Sequence, residues 1–130
     1  MPTRVIHTDK APAAIGPYSQ AVSVTVETAE KIVFCSGQIG IDPATGQLRE
    51  GFEAQVDQAL ANMEAVITAA HGDLGGLVKL TLFLTDLANF ATVNAKMEAL
   101  LPKPYPARST IGVASLPKGA LFEIEAIVAI

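Results

Sequence analysis

The chain has 130 residues, half of them hydrophobic, with 9 Lys and Arg against 13 Asp and Glu and a net charge of −4. That length suits one domain with one core, and no apolar run approaches the roughly 20 residues of a membrane span. The cations are scattered with no basic stripe, which disfavours nucleic acid as a partner, and the lone Cys35 excludes an intramolecular disulfide.

The N-terminus, Met-Pro-Thr-Arg-Val-Ile-His-Thr-Asp-Lys, has no apolar stretch of the kind a secretory signal needs. Together with the single cysteine this predicts a reducing, cytoplasmic location. Its first residues read as a weak strand. Residues 11 to 20 read as an ordered loop broken by Pro12, Gly16 and Pro17. Val22, Val24 and Val26 alternate with Ser23 and Thr25, predicting a strand over 21–26. Lys31 to Ser36 is a second strand. Ile32, Val33, Phe34 and Cys35 are apolar on both faces, so it is expected to be buried on both sides.

Asp42-Pro43-Ala44-Thr45-Gly46 is a turn. A helix follows from Phe52 to Ala70, with Phe52, Val56, Leu60, Met63 and Ile67 as its apolar stripe. Glu53, Gln55, Asp57, Gln58 and Glu64 fall off the stripe and are expected to meet solvent, and Gly72 to end the helix. Val78, Leu80, Leu82 and Leu84 alternate along a strand over 78–85. Asp86 is positioned to cap a second helix, Leu87 to Leu101, whose stripe is Phe90, Val93, Met97 and Leu100. Two strands close the chain, near 109–114 and 121–130.

The order β-β-β-α-β-α-β-β predicts an α+β domain, a mixed β-sheet with two helices packed on one face by right-handed crossovers. Mean hydropathy is +0.38, high for so small a chain. Two helices cover one sheet face, so the other needs a cover, and another copy of the chain is the simplest one.

Few residues carry chemistry. His7 and His71 lie far apart and no Cys/His cluster has ligand spacing, so no metal is expected. Arg108 follows a stiff Pro104-Tyr105-Pro106 approach. It reads either as a structural salt bridge opening a strand or as a fork for carboxylate or phosphate. Glu123 and Glu125 share one face of the last strand, and for either alone a solvent or ion-pair role is the default. As a glycosidase pair their Cα atoms would stand roughly 6.6 Å apart, but the chain has no Trp and no aromatic cluster to bind a sugar. Ser36-Gly37-Gln38 ends a strand, and its glycine permits either close approach by a ligand or an ordinary turn. The Gly-x-Ser-x-Gly elbow is missing, which argues against a serine nucleophile. Cys35 reads as core, Asn94 as a satisfied polar group on a helix, and residues 72–76 as a connector.

Several of these segments coincide in one pattern. Ala-Pro-Ala-Ala-Ile-Gly-Pro-Tyr-Ser-Gln at 11–20, Ser36-Gly37-Gln38-Ile39 and Phe90-Ala91-Thr92-Val93-Asn94 resemble successive motifs of the RidA/YjgF family, the reactive intermediate deaminases. Pro106-Ala107-Arg108-Ser109, Leu116-Pro117 and Glu123-Ile124-Glu125-Ala126 resemble its C-terminal signature. The resemblance, which runs from about residue 4 to the end, implies a chorismate-mutase-like fold and a homotrimer with sites between subunits. It implies hydrolysis of 2-imino acids, such as 2-iminopropanoate and 2-iminobutanoate released by pyridoxal-phosphate enzymes, to 2-oxo acids and ammonia, with no cofactor of its own. By the same resemblance Arg108 binds the substrate carboxylate, Glu123 activates a water, and Tyr18, Ser36, Gly37 and Asn94 line the cleft. The resemblance implies the backbone carbonyl near Thr110 as a second holder of the water. Many members have cysteine at the Thr110 position, which leaves substrate preference open. Two alternatives are a single-strand ribonuclease or translation inhibitor, and a non-catalytic carboxylate-binding or chaperone-like protein.

Overall fold

A computed structural model describes residues 3–11, 13–27 and 29–130. Pro12, one of the expected loop breakers, lies outside them. The elements run β1 (Thr3–Ile6), β2 (Ala21–Val24), β3 (Ile32–Ile39), α1 (Phe52–Ala69), β4 (Leu77–Leu84), α2 (Phe90–Leu100), β5 (Ala107–Gly112) and β6 (Phe122–Ala129). This is the expected order. β1 and β2 pair antiparallel as a separate ribbon, and the main sheet has the order β3-β6-β4-β5. β6 is antiparallel to both neighbours, whereas β4 and β5 run parallel, as a strand–helix–strand link through α2 requires.

Both helices pack on one face of that sheet. Val56, Met63 and Ile67 of α1 and Val93 and Met97 of α2 close over Leu80, Leu82, Leu84, Phe122, Ile124 and Val128. The period-two pattern of β4 and β6 puts those residues on one side and Thr81, Phe83, Glu123 and Glu125 on the other. Among the described residues no helix packs on that other side. Phe34 is 76% exposed and Ile32 40%. The expectation of a strand buried on both faces therefore fails for the single chain: Val33 and Cys35 pack on the core, and the alternate residues stand open.

Other departures are local. Gln55 was expected in solvent and is buried, at 4% exposure. Its Nε2 donates to the Arg49 carbonyl at 3.0 Å and its Oε1 accepts from the Leu121 N–H at 2.8 Å. These bonds tie α1 to the loops before it and before β6, which offsets the cost of burying an amide. Gly40 lets the chain pass close by, since a Cβ there would meet the Gln55 Cα at 2.5 Å. The end of α1 is turned by His71 at φ 67°, not by Gly72. The N–H of His71 reaches the Thr68 carbonyl and that of Gly72 the Ile67 carbonyl, the paired bonds of a Schellman motif one residue earlier than expected. A register shift between Leu77 and Lys79 puts Leu77 in the core in place of Val78. β2 stops at Val24, where its pairing with β1 ends, and Val26 is 78% exposed. Asp86 accepts from the Ala88 N–H at 2.9 Å, but it caps a short 3-10 turn, Leu87–Asn89, that leads into α2. The strand expected near 109–114 is Ala107–Gly112, paired throughout with β4. Among the described residues no helix is long and apolar enough to cross a membrane.

Candidate active site

Arg108 is the second residue of β5, an edge strand, and pairs with Leu80. It therefore points to the helix-covered face, where α2 supplies its surroundings. The Asn94 Oδ1 accepts a hydrogen bond from Arg108 Nη1 at 2.7 Å. The guanidinium carbon lies 5.0 Å from the centre of the Phe90 ring and 4.7 Å from that of Tyr18. Tyr18 reaches this place because the loop before β2 is pinned to the start of β5. Ser19 bridges to Ala107, its N–H reaches the Pro106 carbonyl at 2.7 Å, and its hydroxyl donates to the Tyr105 carbonyl. The Tyr18 hydroxyl accepts from the Ile15 N–H at 3.3 Å.

The surroundings of Arg108 are aromatic and neutral. Arg49 pairs with Asp42 at 3.2 Å and Lys96 with Asp57 at 2.8 Å, yet among the described residues no carboxylate pairs with Arg108. Burial pushes its guanidinium below the usual value, with Tyr18 opposing, and an arginine keeps its charge through such a shift. The structural salt bridge that an arginine opening a strand would ordinarily make is not formed among the described residues.

Glu123 stands elsewhere. It lies on β6, opposite Ile39 on one side and Phe83 on the other, so it faces the open side of the sheet. Between Cys35 and Gln38 the register of β3 shifts, with Ser36 and Gly37 set against the single Glu125. This bulge brings Gly37 under the Glu123 carboxylate: a Cβ on Gly37 would overlap Glu123 Oε2 at 1.9 Å. Glycine is thus required for the carboxylate to lie where it does. Burial raises the Glu123 pKa above 4.5, and repulsion from Glu125 adds to the rise. Ser36 is exposed beside it.

The sequence-expected residues therefore form two groups. Tyr18, Asn94 and Arg108 meet on the helix side, with Thr110 two residues along the same face of β5; its hydroxyl is buried without a hydrogen-bond partner. Ser36, Gly37 and Glu123 gather on the open side. With β4 between their strands and three residues of offset, the Cα atoms of Arg108 and Glu123 are about 14 Å apart and their side chains point to opposite faces. One chain does not bring the two groups together. Cys35 packs on the core, with burial raising its thiol, and no group of three His, Cys, Asp or Glu side chains suits a metal among the described residues.

A family model described as endoribonuclease L-PSP matches residues 8–130. The chain belongs to the RidA/YjgF family. The human 2-iminobutanoate/2-iminopropanoate deaminase is 47% identical over 125 residues, which cover 95% of this chain and 88% of that one. The crystal structure of RidA from the Antarctic bacterium Psychrobacter sp. is similar with a TM-score of 0.76 at 50% identity, covering 98% of this chain and 99% of that one. Escherichia coli TdcF with bound serine gives a TM-score of 0.72 at 39% identity, with 98% of each chain covered. The α+β architecture expected from the motifs is thus the one found.

Two neighbours of Tyr18, Asn94 and Arg108 fall inside the RidA/YjgF motifs but carried no site role in the sequence. Phe90 reads in sequence as part of the apolar stripe of α2, and Gly16 as a loop breaker. Both border the Arg108 guanidinium. The available signal was the four-residue spacing of Phe90 and Asn94, which puts both on one side of a helix.

Proposed function

We propose that the protein hydrolyses 2-imino acids to 2-oxo acids and ammonia, in a cleft shared by two copies of the chain. The observation that carries this reading is the half-buried Arg108, which has no carboxylate partner among the described residues. A partly buried cation with hydrogen-bond and ring contacts but no counter-charge is completed by a ligand that supplies the anion. A planar guanidinium held against two rings suits a carboxylate, which it binds through two parallel hydrogen bonds. The naming of relatives as deaminases and the serine bound by the E. coli relative agree with an amino-acid-like carboxylate.

The rest of the chemistry needs a water and a base. In a protonated 2-imino acid the C=N carbon is already electrophilic, so neither a covalent nucleophile nor a metal is required. Water adds to that carbon as Glu123 accepts one of its protons and passes it to the nitrogen; the carbinol O–H then gives its proton back to Glu123 as the C–N bond breaks, the C=O forms and ammonia leaves. Glu123 has a pKa above the ordinary carboxylate value, which makes it a stronger base once ionised. Tyr18, Ser36, Gly37, Asn94 and the backbone at Thr110 line the cleft, and fixing the carboxylate aims the carbon at the water. Glu125 is exposed and structural in this scheme.

Arg108 and Glu123 meet only if one copy supplies each. The open sheet face, with Phe34, Ile32 and Ile111 exposed, is the surface on which copies would join. Covering Phe34 alone would contribute about 1.5–3 kcal/mol. A homotrimer with the sheets inward and the helices outside gives three such sites, and a helix-side arginine at each boundary meets the neighbour's Glu123.

The test is to generate 2-iminobutanoate with a threonine dehydratase and follow 2-oxobutanoate. The protein is expected to accelerate its release well above the rate in buffer. No acceleration, together with cleavage of single-stranded RNA that survives repurification and requires Arg108, would replace this reading by the ribonuclease one.

A further inference from the structure

If Arg108 anchors a carboxylate, the groups that border its guanidinium decide which part of it is left to bind. Phe90 and Asn94 stand one turn apart at the start of α2. The Phe90 ring lies 5.0 Å from the guanidinium carbon, and Asn94 engages Nη1 at 2.7 Å. On the loop side the Tyr18 ring lies 4.7 Å away. The remaining corner, Nη2, is bordered by Gly16, where a Cβ would come within 3.3 Å of Nη2 and 3.7 Å of the Tyr18 ring. The Gly16 backbone lies outside the left-handed region, so the glycine is not demanded by conformation. Its evident use is space.

The amide is also a particular choice. Asn94 accepts from the guanidinium without cancelling its charge. An aspartate there would make a charge-assisted bond roughly twice as strong and would occupy the cation that a carboxylate ligand needs.

We propose that Phe90, Asn94 and Gly16 are positioning residues. Phe90 and Asn94 hold the Arg108 guanidinium flat with Nη1 engaged, and Gly16 keeps the Nη2 corner open, so that a small 2-imino or 2-oxo carboxylate binds there in one orientation. This deepens the deaminase reading and rests on its assignment of Arg108.

The experiment measures the dissociation constant of 2-oxobutanoate by NMR titration, together with KM and kcat for 2-iminobutanoate, in Gly16→Ala, Phe90→Leu, Asn94→Ala, Asn94→Asp and Arg108→Ala. Gly16→Ala and Phe90→Leu are expected to weaken binding and raise KM at least fivefold, with kcat within threefold of wild type. Asn94→Asp is expected to bind 2-oxobutanoate more weakly than Asn94→Ala while unfolding at no lower temperature. A merely structural asparagine predicts the reverse order, because aspartate keeps the bond to Arg108. Gly16 lies in a loop away from the core, so its variant keeps the test open if Phe90→Leu fails to fold. Binding within twofold of wild type in Gly16→Ala, or wild-type binding in Asn94→Asp, overturns the proposal. If only Arg108→Ala loses binding, the positioning role falls and the anchor stands. If Arg108→Ala binds normally, the anchor itself has failed.

Discussion

Replacing Arg108 by alanine is expected to lower kcat/KM for 2-iminobutanoate by about 30- to 4,000-fold, because an unpaired desolvated carboxylate costs roughly 2–5 kcal/mol and each 1.4 kcal/mol is tenfold. The protein should stay folded, since among the described residues the guanidinium makes no ion pair, and it gives up one hydrogen bond to Asn94 and its contacts with the Tyr18 and Phe90 rings, all outside the apolar core. Arg108→Lys keeps the charge but loses the fork and the stacking on Tyr18 and Phe90, so it should recover only part of the rate. The coupled dehydratase assay measures both. Equal rates for wild type and the alanine variant would remove Arg108 from the mechanism.

Glu123→Gln is expected to act on the other kinetic constant. Glutamine fills the space over Gly37 but accepts no proton, so kcat should fall about 10²- to 10⁴-fold while 2-oxobutanoate binds within a few-fold of wild type. A dependence on pH goes with this. Burial and the neighbouring Glu125 raise the Glu123 pKa above 4.5. Only the ionised form accepts a proton, so activity is lost as pH falls through that raised value. The acid limb of the kcat profile should lie above the ordinary glutamate value and should disappear in the glutamine variant. A limb unchanged by Glu123→Gln would assign the base to another group.

The order of elements and most of their faces were legible because they depend on local periodicity. The stripe of α1 and the alternation of β4 name the residues that form the core. What was not legible depends on partners distant in sequence. Gln55 lies at the edge of the stripe on α1 and is buried because Leu121, 66 residues away, offers an N–H. The bulge that puts Gly37 under Glu123 arises from the pairing of β3 with β6, which no single strand reveals. Alternation shows which residues of one strand share a face, but not which faces of two strands coincide. Hence Arg108 and Glu123 could be named as partners from the family motifs, while their placement on opposite sides of the sheet required the strand register. The apolar second face of β3 was visible from the start, and it is the face that the chain leaves uncovered.

That division of the site makes the shared cleft directly testable. Arg108→Ala and Glu123→Gln chains, each inactive alone, are co-expressed in equal amounts so that mixed assemblies form, and deaminase activity is measured per chain. If each site takes its arginine from one copy and its glutamate from the next, random mixing restores about one quarter of the sites, and about that share of wild-type activity. Activity no greater than the sum of the two variants alone would contradict a site built from two copies.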